Sequence, residues 1–166
     1  MNKDLFFLGI QGCGKGTQGK LLFKSLPGQY DYLEMGQLFR GIMSNDNIIG
    51  NYCKNIVNSG GLVPHFVSHG RYDIALQIVT EKKVGLMVDG FPRSIIQAEF
   101  MEQEMQKYGR DFVIVHFELS KEKAIERMMK RAEIEGRVDD NAEAMNTRIN
   151  AFMEETLPAI KHFESL

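Results

Sequence analysis

Residues 9–15 read GIQGCGK, three glycines and a lysine in the pattern G-x-x-x-x-G-K. Glycine inside a regular element costs roughly 0.5–1 kcal/mol against alanine, so such a cluster needs a reason. Phosphate chemistry supplies one. Glycines let several backbone N–H groups converge on one anion, and a helix starting within the run adds partial positive charge. Lys15, at the end of the run, reaches the outer phosphates of a bound nucleotide. The plainer alternative is a flexible turn between a strand and a helix. One position departs from the usual pattern. Gly16 follows the lysine, and the hydroxyl comes one residue later, at Thr17. A helical step of one residue turns a side chain by about 100°. Thr17 is therefore not assigned the magnesium contact that a hydroxyl next to the lysine makes.

A second stretch, residues 86–93, reads LMVDGFPR. An apolar run ending in Asp89 suits an acidic strand end that holds magnesium, or its waters, near phosphates. Alternatively, Asp89 caps the turn that follows. Arg93 lies two residues beyond Phe91, with the rigid Pro92 between them, and is placed to grip a second phosphate group.

These residues need elements to position them. Leu5–Leu8 is a continuous apolar run, as in a strand buried on both faces of a parallel sheet. A helical pattern runs from Lys15 to Lys24. Tyr32–Glu34 reads as a short strand, and Met35–Ser44 and Ile48–Asn58 as helices, the latter ended by Ser59-Gly60-Gly61. Pro64 opens a helix to about Thr80. Val84–Val88 is a strand, Ser94 caps a helix to about Lys107, and Phe112–Phe117 is a further apolar strand. Ser120 caps a helix striped by Ala124, Ile125, Met128, Met129 and Ala132, which Gly136 breaks. Asp139 or Asp140 caps a helix striped by Met145, Ile149 and Phe152, and Pro158 starts or kinks the last segment. Buried-type strands alternating with helices predict an α/β fold on a parallel sheet. Ligands of such sheets gather at the carboxyl ends of the strands, where the glycine run and Asp89 both stand.

Together, GIQGCGKGTQ and DGFPR resemble the adenylate kinase family of nucleoside monophosphate kinases. Further segments agree in order. EMGQLFR, residues 34–40, is similar to the family's STGDMLR segment, and SGGLVP, residues 59–64, to the loop whose backbone meets the acceptor base. ERMMKR, residues 126–131, supplies Arg127 and Arg131. EGRVDDNAEAMNTR, residues 135–148, supplies Arg137 and Arg148, and its first half is similar to the short-lid members. The likeness runs from Leu5 to about Phe163. It implies a P-loop NTPase three-layer α/β/α fold with a central parallel sheet, as a single domain over residues 1–166. It also implies a helical acceptor-binding insertion at about 35–64 and a short lid at about 132–139.

The resemblance further implies roles. Gly12, Cys13, Gly14, Lys15, Gly16, Thr17 and Arg127 would hold ATP. Met35, Arg40, Gly61, Leu62, Val63, Gly90, Arg93, Gln97, Arg137 and Arg148 would receive AMP. Lys15, Arg93, Arg127, Arg131, Arg137 and Arg148 would surround the transferring phosphoryl group. Asp89 would order the waters of a magnesium ion that arrives with ATP. The long lid of some bacterial members, which can bind zinc, is absent, so no structural zinc is expected. The arginines carry weight without the family. Six of the eight lie in these segments although lysine is commoner, at twelve. Their planar forks suit bidentate phosphate contacts, and Arg127 and Arg131, four apart, share a helix face. Any one of them alone could equally be a solvated surface charge.

Gln97 lies four residues after Arg93, where adenylate kinases carry a glutamine that reads adenine, whereas uridylate/cytidylate kinases carry asparagines after GFPR. Against AMP, Met35 replaces a threonine near the base and Gln37 an aspartate. The expected reaction is phosphoryl transfer from Mg-ATP to AMP, giving two ADP. A UMP/CMP kinase is the alternative within the class, and an impaired nucleotide-binding module the alternative outside it. That module would arise because nothing after Leu166 aligns with the strand and helix that usually close the family's fold. A cut-down chain, an early end of the reading frame or a naturally reduced protein would each explain this. Weak ATP affinity and self-association through an exposed sheet edge would follow in an otherwise monomeric protein.

The bulk numbers narrow the field. The 166 residues are 43% hydrophobic and 25% charged, as in a globular domain with a core. A net charge of -2, with no basic run interleaved with aromatics, disfavours nucleic acid, so positive charge for an anion must be concentrated locally. No apolar run reaches the roughly 18–20 residues of a membrane span. Cys13 and Cys53 fit neither metal-ligand spacing nor a disulfide scaffold, and point to a reducing cytoplasm. No N-K-x-D motif supports a guanine-specific switch.

Overall fold

A computed structural model describes residues 2–135 and 142–165. Four strands, β1 (Asp4–Gly9), β2 (Tyr30–Glu34), β3 (Gly85–Asp89) and β4 (Phe112–Phe117), form a sheet in the order β2-β3-β1-β4. Every pairing is parallel, and the register sets Phe7 opposite Asp89 and Glu34 opposite Asp89. The carboxyl ends of the three leftmost strands therefore deliver Gly9, Asp89 and Glu34 to one side of the sheet.

Helices connect the strands: α1 (Lys15–Ser25), α2 (Met35–Met43), α3 (Ile48–Asn58), α4 (His65–Lys82), α5 (Ile95–Lys107), α6 (Lys121–Glu135), α7 (Ala142–Ala151) and α8 (Leu157–Glu164). Their ends obey local chemistry. The Asn47 side chain accepts from the N–H groups of Ile49 and Gly50 at the start of α3, and Ser94 accepts from Gln97 N–H at the start of α5. The starting residues expected at Asp139 or Asp140, and the break at Gly136, lie outside the described residues. Pro158 opens the last segment, one of the two outcomes expected of it. It sits in the first turn of α8, and the turn before it, Phe152–Thr156, widens to π-helical form. Proline cannot donate to the carbonyl four residues back, so the helical path is wound differently just ahead of it.

Strand alternation sends neighbours in opposite directions. The ring of Phe6 meets Tyr72 of α4 at 5.9 Å, whereas Phe7 packs against Gly19 of α1. One core cluster joins Phe6, Leu33, Met35, Tyr72, Leu76 and Phe91; a second joins Leu8, Ile10, Cys13, Met128, Ile149 and Phe152. Six methionines are buried, in the gap-filling role expected of them. Cys13 and Cys53 are buried and free. Among the described residues, no helix is long and apolar enough to cross a membrane.

At the amino ends of the strands, Asp4 and Arg110 form a buried ion pair. Arg110 Nε donates to Asp4 Oδ2 at 2.8 Å and Nη2 to Oδ1 at 2.6 Å. Asp4 also accepts from Leu86 N–H at 2.7 Å, and Arg110 donates to the Val84 carbonyl at 2.8 Å. This pair ties β1 to the start of β3 at the end of the sheet away from Gly9 and Asp89.

Candidate active site

The loop from β1 to α1 coils tightly enough that Gly12 and Gly14 take positive φ values of 85° and 102°. A side chain at Gly12 would also meet the Ala124 carbonyl of α6 at 2.8 Å. Glycine there lets the loop lie directly on α6, which carries Arg127 and Arg131. Lys15 turns back over this loop. Its ammonium donates to the carbonyls of Gly9 at 2.7 Å and Ile10 at 3.0 Å, with the Cys13 sulfur at 3.5 Å. Burial pushes the Lys15 ammonium below its ordinary value, while Cys13 and Asp89 work in the other direction.

Asp89 closes β3 beside it. Burial raises its carboxyl above the ordinary aspartate value, against the pull of Lys15 and Arg93. Its Oδ2 lies 3.1 Å from the point where a Cβ at Gly16 would stand. A side chain at this position would crowd the carboxylate, so glycine after Lys15 lets the start of α1 lie close against Asp89. Beyond β3, Arg93 Nε donates to the Gly90 carbonyl at 2.9 Å, and its backbone N–H donates to Gln97 Oε1 at 2.7 Å. Burial lowers the Arg93 guanidinium, Asp89 opposes this, and the positive charge of Arg148 adds to it. Two guanidiniums facing one another across a cavity favour an anion between them.

A cavity of about 360 Å³ opens above these groups. The loop and α1 contribute Gly12, Gly14, Lys15, Gly16 and Thr17; α2 contributes Arg40; the α3–α4 connection contributes Gly61, Leu62 and Val63. Gly90, Arg93 and Gln97 line it from the start of α5, Arg127 and Arg131 from α6, and Arg148 from α7. Gly60, with φ 82°, lets the α3–α4 turn press its backbone on the Ala144 carbonyl of α7, which closes one wall. Seven cationic side chains face two acidic ones, Glu34 and Asp89, in this lining.

A sequence model of the adenylate kinase family matches residues 7–166. The chain belongs to the adenylate kinase family. It is 32% identical over 160 residues to the adenylate kinase of Corynebacterium diphtheriae, covering 96% of this chain and 84% of that protein. With the adenylate kinase of Thermus thermophilus it shares 31% over 167 residues, covering 99% and 85%. With that of Corynebacterium aurimucosum it shares 34% over 157 residues, covering 94% and 83%.

Most residues expected of an adenylate kinase meet in the cavity. Two side chains do not. Met35 is 1% exposed and belongs to the core cluster with Leu33, because it continues the every-second-residue alternation of β2. It packs behind Gly90, which leaves the base side of the cavity to others. Cys13 likewise belongs to the second core cluster, with its sulfur 3.5 Å from the Lys15 ammonium. Arg137 lies outside the described residues.

The structure also adds residues. Glu34 pairs with Lys20 at 2.6 Å and with Arg40 at 3.0 Å, fixing the guanidinium expected to receive the acceptor phosphate. Its position at the end of β2, matching Asp89 at the end of β3, was a readable signal. Gln11 and Phe39 line the cavity, and Thr156 in the π-helical turn donates its hydroxyl to the Arg93 carbonyl at 3.0 Å. Nothing in the local sequence around Thr156 announces that contact. Among the described residues, no group of three or more His, Cys, Asp or Glu could hold a metal by protein ligands alone.

Proposed function

We propose that this protein transfers the terminal phosphoryl group of ATP to AMP, forming two ADP. The observation that supports this is the convergence of the phosphate loop, Lys15 and five arginines from four helical or loop segments on one cavity. The loop N–H groups, Lys15 and Arg127 hold the donor phosphates. Arg40 and Arg93 hold the acceptor phosphate, already ionised at neutral pH, so a dedicated base is not required. An oxygen of that phosphate bonds to the terminal phosphorus of ATP as the bridging oxygen leaves with ADP. Charge on the transferring group is met by Lys15, Arg93, Arg131 and Arg148.

Magnesium fits the residues present. Asp89 is a carboxylate at the end of β3 beside the phosphate loop and lines the same cavity, and magnesium is held through few carboxylates, several waters and substrate phosphates. Bound there, it would offset charge on the donor phosphates. In this reading residues 35–64 form the acceptor-binding part. Residues 132–139 are read as a short lid. The acceptor base meets Gln97 and the backbone of Gly61, Leu62 and Val63.

The test is ADP formation from Mg-ATP with AMP, UMP, CMP or GMP. Dependence on AMP is expected. Preference for UMP or CMP would move the assignment to a pyrimidine kinase. Nucleotide binding without transfer, in a protein that melts cooperatively, would refute the reaction.

A further inference from the structure

We propose that His65 sets the acceptor preference by fixing which way the Gln97 amide faces. The inference rests on the reading of Gln97 as the residue that meets the acceptor base. The Gln97 side chain is buried, lines the cavity, and is held at both ends. Oε1 accepts from the Arg93 backbone N–H at 2.7 Å, and Nε2 lies 3.4 Å from Nδ1 of His65, the first residue of α4. The backbone N–H can only donate, so it claims the carbonyl end of the amide and turns the NH2 end toward the imidazole. An NH2 group can only donate, so Nδ1 must offer a lone pair. The ring that does so is neutral, with its proton on Nε2. Both contacts thus select one orientation of the amide.

That orientation leaves one N–H and one carbonyl lone pair of Gln97 for a ligand. The base-pairing edge of adenine offers an acceptor at N1 and a donor at N6, and that of guanine offers the reverse, a donor at N1 and an acceptor at O6. A fixed amide matches one edge and leaves polar groups opposed on the other, and a flipped amide inverts the preference. His69, one turn along α4, lies 6.0 Å from His65 and stacks on Phe100 at 3.9 Å. Burial keeps His69 below the ordinary imidazole range. Arg93 lies beyond Gln97, Asp89 and Glu34 border the same cavity from β3 and β2, and Glu99 of α5 is exposed.

The readout is the ratio of kcat/KM for AMP to that for GMP, in the wild type and two variants. Both acceptors carry the same phosphate, so its handling cancels. His65→Asn places a carbonyl oxygen near the Nδ1 position and should keep the wild-type ratio. His65→Leu should lower the ratio about five- to tenfold, the worth of one hydrogen bond, with the loss in KM for AMP more than in kcat. A Leu variant with the wild-type ratio, or an Asn variant as low as the Leu variant, overturns the role of His65 while AMP transfer stands. Absence of both AMP turnover and calorimetric AMP binding would remove the reading of Gln97 and this inference with it.

Discussion

The buried pair of Asp4 and Arg110 gives a sharp test of how the fold is held together. Both side chains are at most 1% exposed, and Asp4 accepts three hydrogen bonds, two from Arg110 and one from Leu86 N–H. Replacing Asp4 with alanine takes a counter-charge and two hydrogen bonds from a buried guanidinium, and takes the Asp4 acceptor from the Leu86 N–H. Breaking one side of such a pair costs about 3–5 kcal/mol. For a chain of this length each kcal/mol moves the melting temperature by about 2–4 °C, so Asp4→Ala should melt about 6–20 °C lower. Replacing both partners, Asp4→Leu with Arg110→Met, removes the stranded charge and should recover a large part of the loss. The assay is thermal unfolding by circular dichroism and calorimetry on the wild type, both single variants and the double variant. Transfer rates well below the melting range should change little, because the pair lies at the amino ends of the strands and the cavity at their carboxyl ends. A single variant that melts within about 2 °C of wild type would refute the reasoning, since it would mean the pair is solvated in solution. So would a double variant less stable than either single one.

Three further outcomes follow from the cavity. Lys15→Met should lower ADP formation by at least about a hundredfold, the scale of losing one preorganised charge at a transferring group, with melting preserved; steady-state kinetics and a melting curve check this together. Asp89→Asn should raise the melting temperature at neutral pH while depressing transfer. The folded carboxyl titrates above the unfolded one, so its ionised form costs stability there. An Asn variant that melts lower would contradict this. Burial alone would raise the Glu34 carboxyl, but its ion pairs with Lys20 and Arg40 outweigh burial and leave it below the ordinary glutamate value. Its contribution is therefore present above the unfolded value of about 4.3 and lost as pH falls through the folded one. Denaturant titrations should show Glu34→Gln with a flatter loss of stability below about pH 4.5 than wild type.

Much of this was written plainly in the chain. Continuous apolar runs marked β1, β3 and β4, and glycine, serine and proline marked the ends of helices, because those residues act locally. The phosphate loop was legible for the same reason: its function is a property of contiguous backbone. Side-chain direction was harder. Met35 was read as a base contact, yet the alternation begun at Leu33 continues across the junction of β2 with α2 and carries it into the core. Glu34, one residue earlier, takes the opposite direction and anchors Arg40. The contact of Thr156 with the Arg93 carbonyl joins residues 63 apart, and no local pattern encodes it. It depends on the π-helical turn, which the position of Pro158 hints at without specifying.

The cluster of positive side chains has a consequence for how fast substrates arrive. The chain as a whole carries a charge of -2, yet the cavity lining carries seven cations against two acids among the described residues. The molecule is therefore strongly dipolar, weakly repelling polyanions over most of its surface and drawing them in at one mouth. Field lines concentrate in such a cleft, so encounters with nucleotides are steered rather than random, and added salt slows them steeply. The same attraction acts on any small polyanion by charge alone, before any base is read.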